Sequence, residues 1–572
     1  MRLPRLFACL AALAISASCA PLPAAAPAVQ SAREQPFVIA ANPLAAQAGI
    51  DVLKRGGSAV DAAIAVQAML SLVEPQSSGL GGGGFLTYYD GRSGQVSIYD
   101  GREVAPAQAS ESMFLQADGT PVPFDTAVVS GRATGVPGAV KMLAMAHGEH
   151  GRLEWRTLFT AAERTAAQGF AVSPRLARMI HGNFPESPMP DVRAYFSKPD
   201  GTLLGAGDVL RNPAYAAFLR RLAEEGPDAM YAGSTAARII ERTRAGQLGG
   251  AMTLADLANY KPIKRQPLCR PYRIYVLCAP PPPSSGVGLI QLMLLLEQTD
   301  IGTRGPGDPQ AWFEFAEASR LMYADRDFTV GDPAFVGVNV GGLLSPAYIA
   351  QRAQLIGKAA GPPPEPGRPE GMPAYARDGT LEPTGTSHFI IRDSAGNVVS
   401  MTTTVESIFG SGRMVDGFFL NNQLTDFAFS PTDSKGRPQA NAVAPGKRPR
   451  SSMIPLILLG PDGRFAGAIG SAGGNSILPF VVKSLVAAID WHEPMQEAIA
   501  APNLVARGTN YSGEVTKFAP GVLEGLAARG IVPKPGQGED SGIHGVLVRN
   551  KSVEGGYDPR REGEVILVQP PR

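Results

Sequence analysis

The chain has few of the residues that most often build metal and redox sites. Its 572 residues include four cysteines, six histidines and three tryptophans. The histidines are scattered along the sequence, and no two of them stand at the spacing that metal-binding motifs require. We therefore expect that the protein binds no metal ion.

The chain also lacks a strong net charge of either sign. Its 52 Lys and Arg residues are balanced by 51 Asp and Glu residues, which leaves a formal net charge of +1. This balance gives no electrostatic reason to expect nucleic acid or a membrane surface as a partner. Because 44% of the residues are hydrophobic, we expect a large folded core.

Long apolar runs are missing beyond the N-terminus. The run 454–459 is far shorter than the roughly 20 residues that a membrane helix needs, so we expect no membrane span. The N-terminus is typical of a targeting segment, because Arg2 and Arg5 precede an apolar stretch at 6–15 that small residues follow. Residues 1–28 are therefore predicted to be a signal peptide.

The sequence offers two cleavage sites for this signal peptide. The first is near Ala24-Ala25-Ala26, and the second is before Cys19, where Ser16-Ala17-Ser18-Cys19 resembles a lipid-attachment box. In either case the mature protein is expected to be exported. It is predicted to be periplasmic, or tethered to the outer membrane by a lipid anchor at Cys19.

Cys269 and Cys278 are the two cysteines that lie well beyond this segment. In an oxidising compartment their spacing fits a disulfide across a short hairpin. The alternative is a pair of half-buried free thiols. Neither cysteine has a histidine close by in sequence, so we do not expect a catalytic thiol.

The first part of the chain is predicted to form two helices and a glycine-rich turn. Apolar residues recur at helical spacing over 42–74, with a break at Gly56-Gly57. The run 79–84 formally matches a dinucleotide-binding fingerprint, but that motif needs a strand before it and a helix after it. Here the order is reversed, so we expect these glycines to allow close backbone packing.

The middle of the chain is predicted to be helical and the C-terminal third to be rich in strands. Helices are expected over 158–168, 213–225, 235–244, 287–296, 313–325 and 477–490. Strands are expected over 389–392, 398–405, 418–420, 455–459 and 465–469.

Residues 357–385 separate these two parts. They are dense in Pro, Gly and charge, which predicts an exposed, flexible linker of about 30 residues, unusual inside a compact domain unless it is functional. The linker ends where a hairpin begins, at Thr386. A threonine hydroxyl is a poor nucleophile without a base, but a threonine at a new N-terminus carries an α-amine that titrates near ~8. Taken alone, Thr386 would far more often be an ordinary threonine at the start of a strand, and it is the linker ending at it that favours the nucleophile.

Eleven motifs in this order resemble the γ-glutamyltranspeptidases, also called γ-glutamyltransferases or glutathione hydrolases. They are Gly56-Gly57, 81–85, Gly101-Arg102-Glu103, Gly135-Val136-Pro137-Gly138, Asp256-Leu257-Ala258-Asn259-Tyr260, Pro282-Pro283-Ser284-Ser285-Gly286, Ala324-Asp325-Arg326, Thr386-Ser387-His388, Asn421-Asn422-Gln423, Arg448-Pro449 with Ser451-Ser452, and Gly470-Ser471-Ala472-Gly473-Gly474.

The resemblance implies an α+β fold, a four-layer αββα sandwich of the N-terminal-nucleophile hydrolase type. It also implies a precursor that cuts itself between Gly385 and Thr386. The expected products are a large subunit, 29–385, and a small catalytic subunit, 386–572, which together form a heterodimer.

The resemblance also implies roles for individual residues. Thr386 corresponds to the nucleophile, Thr404 to its hydrogen-bonding partner, and Gly473 and Gly474 to the donors that bind the oxyanion. The positions that bind the donor's α-carboxylate are Arg102, Ser451 and Ser452, and those that bind its α-amine are Gln423 and Asp426. Taken singly, each of these residues would more often be a surface charge, a turn residue or an ordinary strand residue.

Three positions depart from the family pattern. Glu406 stands where well-studied members have Asn, which adds a carboxyl group beside the expected ammonium site. Ser387 replaces a second Thr. The segment 427–440 is shorter than the lid of other members and contains no Tyr, so we expect a more open pocket.

The expected activity is attack on a γ-glutamyl amide such as glutathione, followed by transfer of the acyl group to water, an amino acid or a dipeptide. The resemblance implies no cofactor. Two alternatives remain open: a glutaryl-type (cephalosporin) acylase of the same fold, whose substrate lacks the α-amine, and a non-catalytic, surface-tethered binding protein.

Overall fold

The computed structural model describes residues 35–536 and 541–568. The predicted signal peptide, with Cys19, lies outside the described residues. The eighteen α-helices of the described part are α1 Pro43–Lys54, α2 Ala59–Val73, α3 Phe124–Val128, α4 Ala139–His150, α5 Thr160–Gln168, α6 Pro174–Ile180, α7 Pro190–Phe196, α8 Pro213–Glu225, α9 Asp228–Tyr231, α10 Gly233–Arg244, α11 Leu254–Asn259, α12 Gly286–Glu297, α13 Pro309–Thr329, α14 Val340–Leu343, α15 Pro346–Ala353, α16 Ile477–Leu485, α17 Met495–Ala500 and α18 Val522–Ala527.

The strands of the same described ranges are β1 Phe37–Ala40, β2 Gly83–Tyr89, β3 Val96–Asp100, β4 Phe170–Ala171, β5 Val209–Leu210, β6 Ile263–Arg265, β7 Leu268–Tyr272, β8 Tyr275–Ala279, β9 Gly385–Arg392, β10 Val398–Glu406, β11 Met414–Val415, β12 Phe418–Phe419, β13 Leu456–Leu459, β14 Phe465–Gly470, β15 Leu504–Arg507, β16 Asn510–Gly513, β17 Lys534–Pro535, β18 His544–Arg549, β19 Ser552–Tyr557 and β20 Glu564–Leu567.

Two antiparallel sheets form the centre of the molecule. The first has the strand order β20-β1-β9-β10-β2-β3-β6, and the second has the order β19-β18-β14-β13-β8-β7. Their facing sides bury a shared apolar cluster that includes Phe37, Ile39, Ile390, Ile457 and Val546. Helices α1, α2 and α4 pack on the outer side of the first sheet, and α12, α16 and α17 pack on that of the second. The predicted four-layer αββα sandwich is confirmed.

The first two helices begin and end at the signals that the sequence carries. Asn42 caps α1, and Ser58 opens α2 in a capping box with Asp61. The predicted break at Gly56-Gly57 is confirmed, and Gly56 has a φ of 87°, a backbone conformation that favours glycine. Helix α2 is buried along its whole length, because it lies between the first sheet and other helices.

The glycine run before β2 serves close packing, as predicted. A Cβ at Gly82 would lie 1.9 Å from the carbonyl oxygen of Thr404, and a Cβ at Gly84 would lie 2.4 Å from that of Thr402. Only glycine lets the two backbones approach so closely. Strand β2 therefore fits tightly against β10, the strand that carries Thr404.

The linker is less exposed than predicted. Residues 357–384 form no helix or strand, and many of their side chains are exposed. Near its end, however, Asp378 and Glu382 are buried. Both carboxylates form ion pairs with Arg450, which is itself fully buried. The composition of the linker predicts that these side chains are exposed. They are buried instead, because a charged group can be buried when it forms an ion pair.

Cys269 and Cys278 face each other in the β7–β8 hairpin. They are a directly opposed pair in the register, and a disulfide joins them with a Cα–Cα distance of 4.1 Å. Strand β7 is the edge strand of the second sheet. The bond thus ties an edge strand to its only neighbour in that sheet.

We expect the Cys269→Ala/Cys278→Ala double variant to lose roughly 2 to 3 kcal/mol in free energy of unfolding, because the bond closes a short loop in the unfolded chain. Urea titration of the oxidised protein measures this loss. Each single variant should lose about as much as the double variant. Additive losses from the two single variants would contradict a disulfide contribution.

Candidate active site

A β-bulge places the hydroxyl groups of the site. In the β9–β10 ladder Ser387 pairs with Thr403, and the next pair is Gly385 with Glu406. Thr404 and Val405 together therefore lie opposite the single residue Thr386. The extra residue turns β10 at this point, and the Thr404 side chain comes to lie beside the Gly385–Thr386 peptide bond.

Two hydroxyl groups meet at one carbonyl oxygen. The Oγ1 atoms of Thr386 and Thr404 each donate a hydrogen bond of 2.5 Å to the carbonyl oxygen of Gly385. The backbone N–H of Glu406 donates to Thr404 Oγ1 at 2.7 Å, so the Thr404 proton is directed at that carbonyl. Both threonines are buried. The Gly385–Thr386 peptide bond is thus polarised, with a hydroxyl group beside it.

Glycine is required at position 385. A Cβ there would lie 2.2 Å from the carbonyl oxygen of Glu406. Glu406 itself has a φ of 83°, which is uncommon for a residue with a side chain and is strained by about 1 to 3 kcal/mol. Asn tolerates this conformation better than Glu does. The bulge therefore places a strained residue directly beside the Gly385–Thr386 peptide bond.

The two expected oxyanion glycines follow strand β14. Gly473 and Gly474 have φ values of 132° and 52°, both in the region that favours glycine. A Cβ at Gly474 would lie 2.1 Å from the carbonyl oxygen of Glu382 and 2.2 Å from that of Pro383. The linker backbone therefore covers this turn.

A chain of polar contacts links four of the predicted binding residues. Arg102 donates to Asp426 at 2.5 Å, and Gln423 donates both to Asp426 at 2.7 Å and to Glu406 at 2.5 Å. All four side chains are buried. One face of the site thus carries a guanidinium group and two carboxyl groups held together by an amide.

Ionisation of Glu406 is disfavoured in this cluster. Burial, and then the negative charge of Asp426, raise the pKa of Glu406 well above its ordinary value. Nearby, burial raises the pKa of Glu103 to about 8, although Arg102 opposes the shift. A positive group that entered the cluster would favour the ionised form of Glu406.

Ser451 and Ser452 make different hydrogen bonds. Ser452 donates a hydrogen bond of 2.5 Å to Glu382 of the linker. Ser451 accepts the N–H of Met453 at 3.1 Å with its hydroxyl oxygen. The carbonyl group of Arg450, just before Ser451, accepts from Arg102 at 2.6 Å. The serine pair is therefore linked to Arg102 through the backbone.

His388 is separate from this chemistry. Its Nδ1 lies 2.8 Å from the hydroxyl oxygen of Thr402. Burial, and then the proximity of His544, lower its pKa well below the ordinary value. We assign His388 a structural role.

Sequence reasoning missed three residues of the site: Arg326, Arg450 and Glu382. Arg326 donates to Glu382 at 2.7 Å and to Ser452 at 2.5 Å. Arg326 and the serines lie in motifs of the family pattern, but Glu382 lies in the Pro- and Gly-rich linker, where no motif marks it. The one available signal was an acidic residue four positions before the expected cut.

No group of three or more His, Cys, Asp and Glu residues in the described ranges is arranged to hold a metal ion. In the same ranges, no helix combines the length and the apolar character that a membrane crossing requires. The segment 427–440 borders a cavity of about 390 Å³ that Asp378, Thr380 and Phe429 help to line.

Glu406→Gln should stabilise the uncut protein more at pH 8 than at pH 5. The raised pKa of Glu406 means that the folded state keeps a proton that the unfolded state has lost, so the stability that it contributes falls as the pH rises above ~4.3 towards the folded pKa. Gln removes this loss. Urea titrations at both pH values should show a relative gain of at least about 1 kcal/mol.

The exposed Glu224→Gln is the matched control, and it should show no such difference between pH 5 and pH 8. A Glu406→Gln variant whose stability follows that of the wild type at both pH values would mean that Glu406 is ionised in the folded protein.

Known proteins are similar to this chain in sequence and in fold. The γ-glutamyltranspeptidase family matches residues 45–568. The glutathione hydrolase proenzyme of Bacillus subtilis (strain 168) is 36% identical over 509 residues, which cover 86% of this chain and 84% of the relative. The glutathione hydrolase proenzyme of Escherichia coli (strain K12) is 34% identical over 543 residues, which cover 92% and 90%.

A solved structure of the cephalosporin acylase from Bacillus halodurans superposes with a TM-score of 0.81 at 26% identity, and covers 97% of this chain and 99% of that one. The αββα sandwich described above is thus that of an N-terminal-nucleophile hydrolase. From the match over 45–568 and the extent of both proenzyme relatives, the chain belongs to the γ-glutamyltranspeptidase family.

Proposed function

We propose that the protein is a self-processing γ-glutamyltransferase and glutathione hydrolase, in which Thr386 becomes the N-terminal nucleophile of a small subunit. The observation that carries the proposal is the meeting of the Thr386 and Thr404 hydroxyl groups at the Gly385 carbonyl oxygen, each at 2.5 Å. The relatives named above are proenzymes, which supports a cut chain as the working form.

The cut follows from the geometry of this bond. Thr386 Oγ1 attacks the carbonyl carbon of Gly385, and Thr404 stabilises the negative charge that develops on the oxygen. The C–N bond then breaks, and the hydroxyl proton passes to the departing nitrogen, which leaves an ester and a free α-amine. Water hydrolyses the ester and releases the Gly385 carboxylate. The strained Glu406 backbone beside the bond favours its cleavage.

In the cut enzyme the α-amine of Thr386 acts as the base. It takes the proton of Oγ1 while the oxygen attacks the γ-carbonyl carbon of the donor. The N–H groups of Gly473 and Gly474 are placed to bind the oxyanion once the linker leaves that turn. The leaving amine takes the proton, and water or an acceptor amine then attacks the ester.

The polar cluster suits a zwitterionic acyl group. In the uncut chain Arg102 is bound to Asp426, and each has the charge that a γ-glutamyl group would complement. The α-carboxylate of the donor would bind Arg102, and its α-ammonium group would bind Asp426, Gln423 and Glu406. The donor therefore replaces one internal ion pair with two intermolecular ones.

The same cluster argues against a glutaryl-type acylase. A glutaryl group has no α-amine, so it would give the buried carboxyl groups of Asp426 and Glu406 no ammonium group to bind. The structural likeness to a cephalosporin acylase keeps this alternative open to test. The hydroxyl geometry at Gly385 makes a non-catalytic binding protein the weaker of the two alternatives.

We also propose that the protein is exported and works as a heterodimer of the 29–385 and 386–572 chains. The pattern of residues 1–28 supports export, and the Cys269–Cys278 disulfide suits an oxidising compartment. Strand β1 of the first chain pairs with β9 and β20 of the second, so the cut chains share one sheet. A lipid at Cys19 would add an outer-membrane tether.

Thr386→Ala should remain a single chain and lose at least about 10⁴-fold in kcat, since it has neither the hydroxyl nor the new α-amine. A denaturing gel and turnover of γ-glutamyl-4-nitroanilide measure the two effects. Ser387→Ala, at the next residue, is the control and should be cut normally. Two normal subunits from Thr386→Ala would sink the proposal.

The wild type should prefer γ-glutamyl-4-nitroanilide to glutaryl-4-nitroanilide by at least about 100-fold in kcat/KM, because the site is built to bond the α-amine. Asp426→Asn should reduce this preference about tenfold or more. Asp200→Asn, a change of the same charge at an exposed site, should leave it unchanged. Equal use of the two anilides by the wild type would favour the acylase alternative.

A further inference from the structure

A cavity of about 390 Å³ adjoins the reacting groups on the side of the oxyanion turn. The polar and charged residues of its wall include Thr384, Ser476, Asn503, Glu514 and Lys534. Thr384 stands two residues before Thr386, and Ser476 stands two residues after Gly474. Because two residues span at most about 7 Å, one small molecule can reach from this cavity to the expected nucleophile.

Asn503 is a buried residue of the cavity wall with an unused acceptor atom. Its Nδ2 donates to the hydroxyl oxygen of Ser541 at 2.9 Å, and that hydroxyl donates its one proton to Asp558 at 2.6 Å. Burial alone would raise the pKa of Asp558, but Arg560 and several hydrogen bonds lower it to about 2, so this carboxylate only accepts. The orientation of the Asn503 amide is therefore fixed.

The Oδ1 atom of Asn503 consequently has no hydrogen-bond partner in the described part of the chain. The Nδ2 end of the amide is bound at Ser541, so Oδ1 is the end that a molecule in the cavity can engage. A buried acceptor without a partner is costly. The cavity therefore favours a ligand that brings an N–H group to Asn503.

The two charged residues of the wall differ in their partners. Glu514 forms ion pairs with Arg560 at 2.5 Å and Lys517 at 2.7 Å, and it accepts the N–H of Asn503 at 2.9 Å. Burial alone would raise the pKa of Glu514, but these contacts outweigh burial and lower it to about 2. Lys534 is exposed and forms no ion pair within the described ranges. The wall thus offers one cation for an anionic group.

The remaining lining is partly apolar. Phe480, Val505 and Tyr511 lie beside the polar groups. A ligand that fits this lining has a carboxylate for Lys534, an N–H group for Asn503 and a short carbon skeleton between them. A dipeptide with a free C-terminus has all three, and its amine lies about 7 Å from its carboxylate when it is extended.

We propose that this cavity binds the amine partner of acyl transfer, a dipeptide whose carboxylate contacts Lys534 and whose peptide N–H donates to Asn503. This inference deepens the proposed function and rests on it. The neutral amine of the dipeptide attacks the ester carbon of acylated Thr386, its proton passes through the α-amine of Thr386 to Oγ1, and the C–Oγ1 bond breaks. The leaving dipeptide of a donor occupies the same cavity, since transfer is the reverse of its release.

Two matched acceptors test the role of Lys534, with γ-glutamyl-4-nitroanilide as the donor. Glycylglycine and glycylglycinamide differ only in the C-terminal carboxylate. We expect the wild type to prefer glycylglycine at least about fivefold in acceptor kcat/KM, and Lys534→Gln to bring the two acceptors within about twofold of each other. Lys534→Arg should keep most of the preference.

Lys54→Gln, a change of the same charge at an exposed site on α1, is the control and should keep the full preference. A preference that is unchanged in Lys534→Gln would overturn the proposal.

Glycylsarcosine, in which a methyl group replaces the hydrogen of the peptide N–H, tests the role of Asn503. The wild type should prefer glycylglycine to it at least about tenfold, because the Asn503 oxygen otherwise stays without a donor. Asn503→Ala should reduce this preference to about threefold or less. The ratio of the two acceptors does not depend on how much of the variant folds. Equal use of both acceptors by the wild type, or an unchanged preference in Asn503→Ala, would contradict the proposal.

A binding measurement separates this proposal from the function on which it rests. Ligand-detected NMR titration with glycylglycine needs no turnover, and we expect its Kd to be at least about threefold higher for Lys534→Gln than for the wild type. If the wild type releases no 4-nitroaniline, the proposed function fails, while the titration still decides whether the cavity binds the dipeptide. If the donor is turned over and the two Kd values are equal, the function stands and the cavity is rejected as the acceptor site.

Discussion

The site depends on the extra residue that strand β10 inserts opposite Thr386. Without this bulge Thr404 would be an ordinary member of an antiparallel ladder, with its backbone rather than its hydroxyl group engaged at this point. With the bulge, the Glu406 N–H orients Thr404 and the Thr404 hydroxyl polarises the Gly385 carbonyl. The same feature requires glycine at 385 and leaves Glu406 in a strained conformation. Positioning of the hydroxyl groups, polarisation of the bond and local strain therefore have one common cause.

Buried charge is the second constraint, and it connects the linker to the donor site. The site contains Arg102, Arg326 and Arg450 together with Asp426, Glu406 and Glu382, all withdrawn from water. Charges in such surroundings must be paired, bonded or neutralised. Glu382 completes the pairing of the arginines, and burial together with the nearby Asp426 disfavours ionisation of Glu406. Departure of the linker would undo this balance, and a zwitterionic ligand is suited to restore it.

The glycines around the site serve the same geometry from several directions. Gly82 and Gly84 allow β2 to pack closely against β10. Gly385 packs against the backbone of the bulge, and Gly474 packs against the backbone of the linker. Each is a place where a side chain would collide with a backbone oxygen. The result is a site in which backbone groups, rather than side chains, set most of the distances.

The sequence by itself determined the family, the four-layer fold, the helix boundaries around Gly56-Gly57 and the packing role of the glycine run. These features depend on local periodicity, capping residues and motifs, all of which can be read directly from the sequence. It also named Thr386, Thr404 and the polar residues from Arg102 to Ser452, which the structure brings into one region.

Only the tertiary structure decided how these residues meet. The bulge at Thr404, the positive φ of Glu406 and its raised pKa depend on strand register and on burial by distant segments, and neither can be read from local sequence. The linker shows this most clearly. Its composition predicts exposure, yet Asp378 and Glu382 are drawn inside by Arg326 and Arg450. A charge is buried when a partner far away in sequence compensates for its lost hydration, and only the folded chain brings the two together.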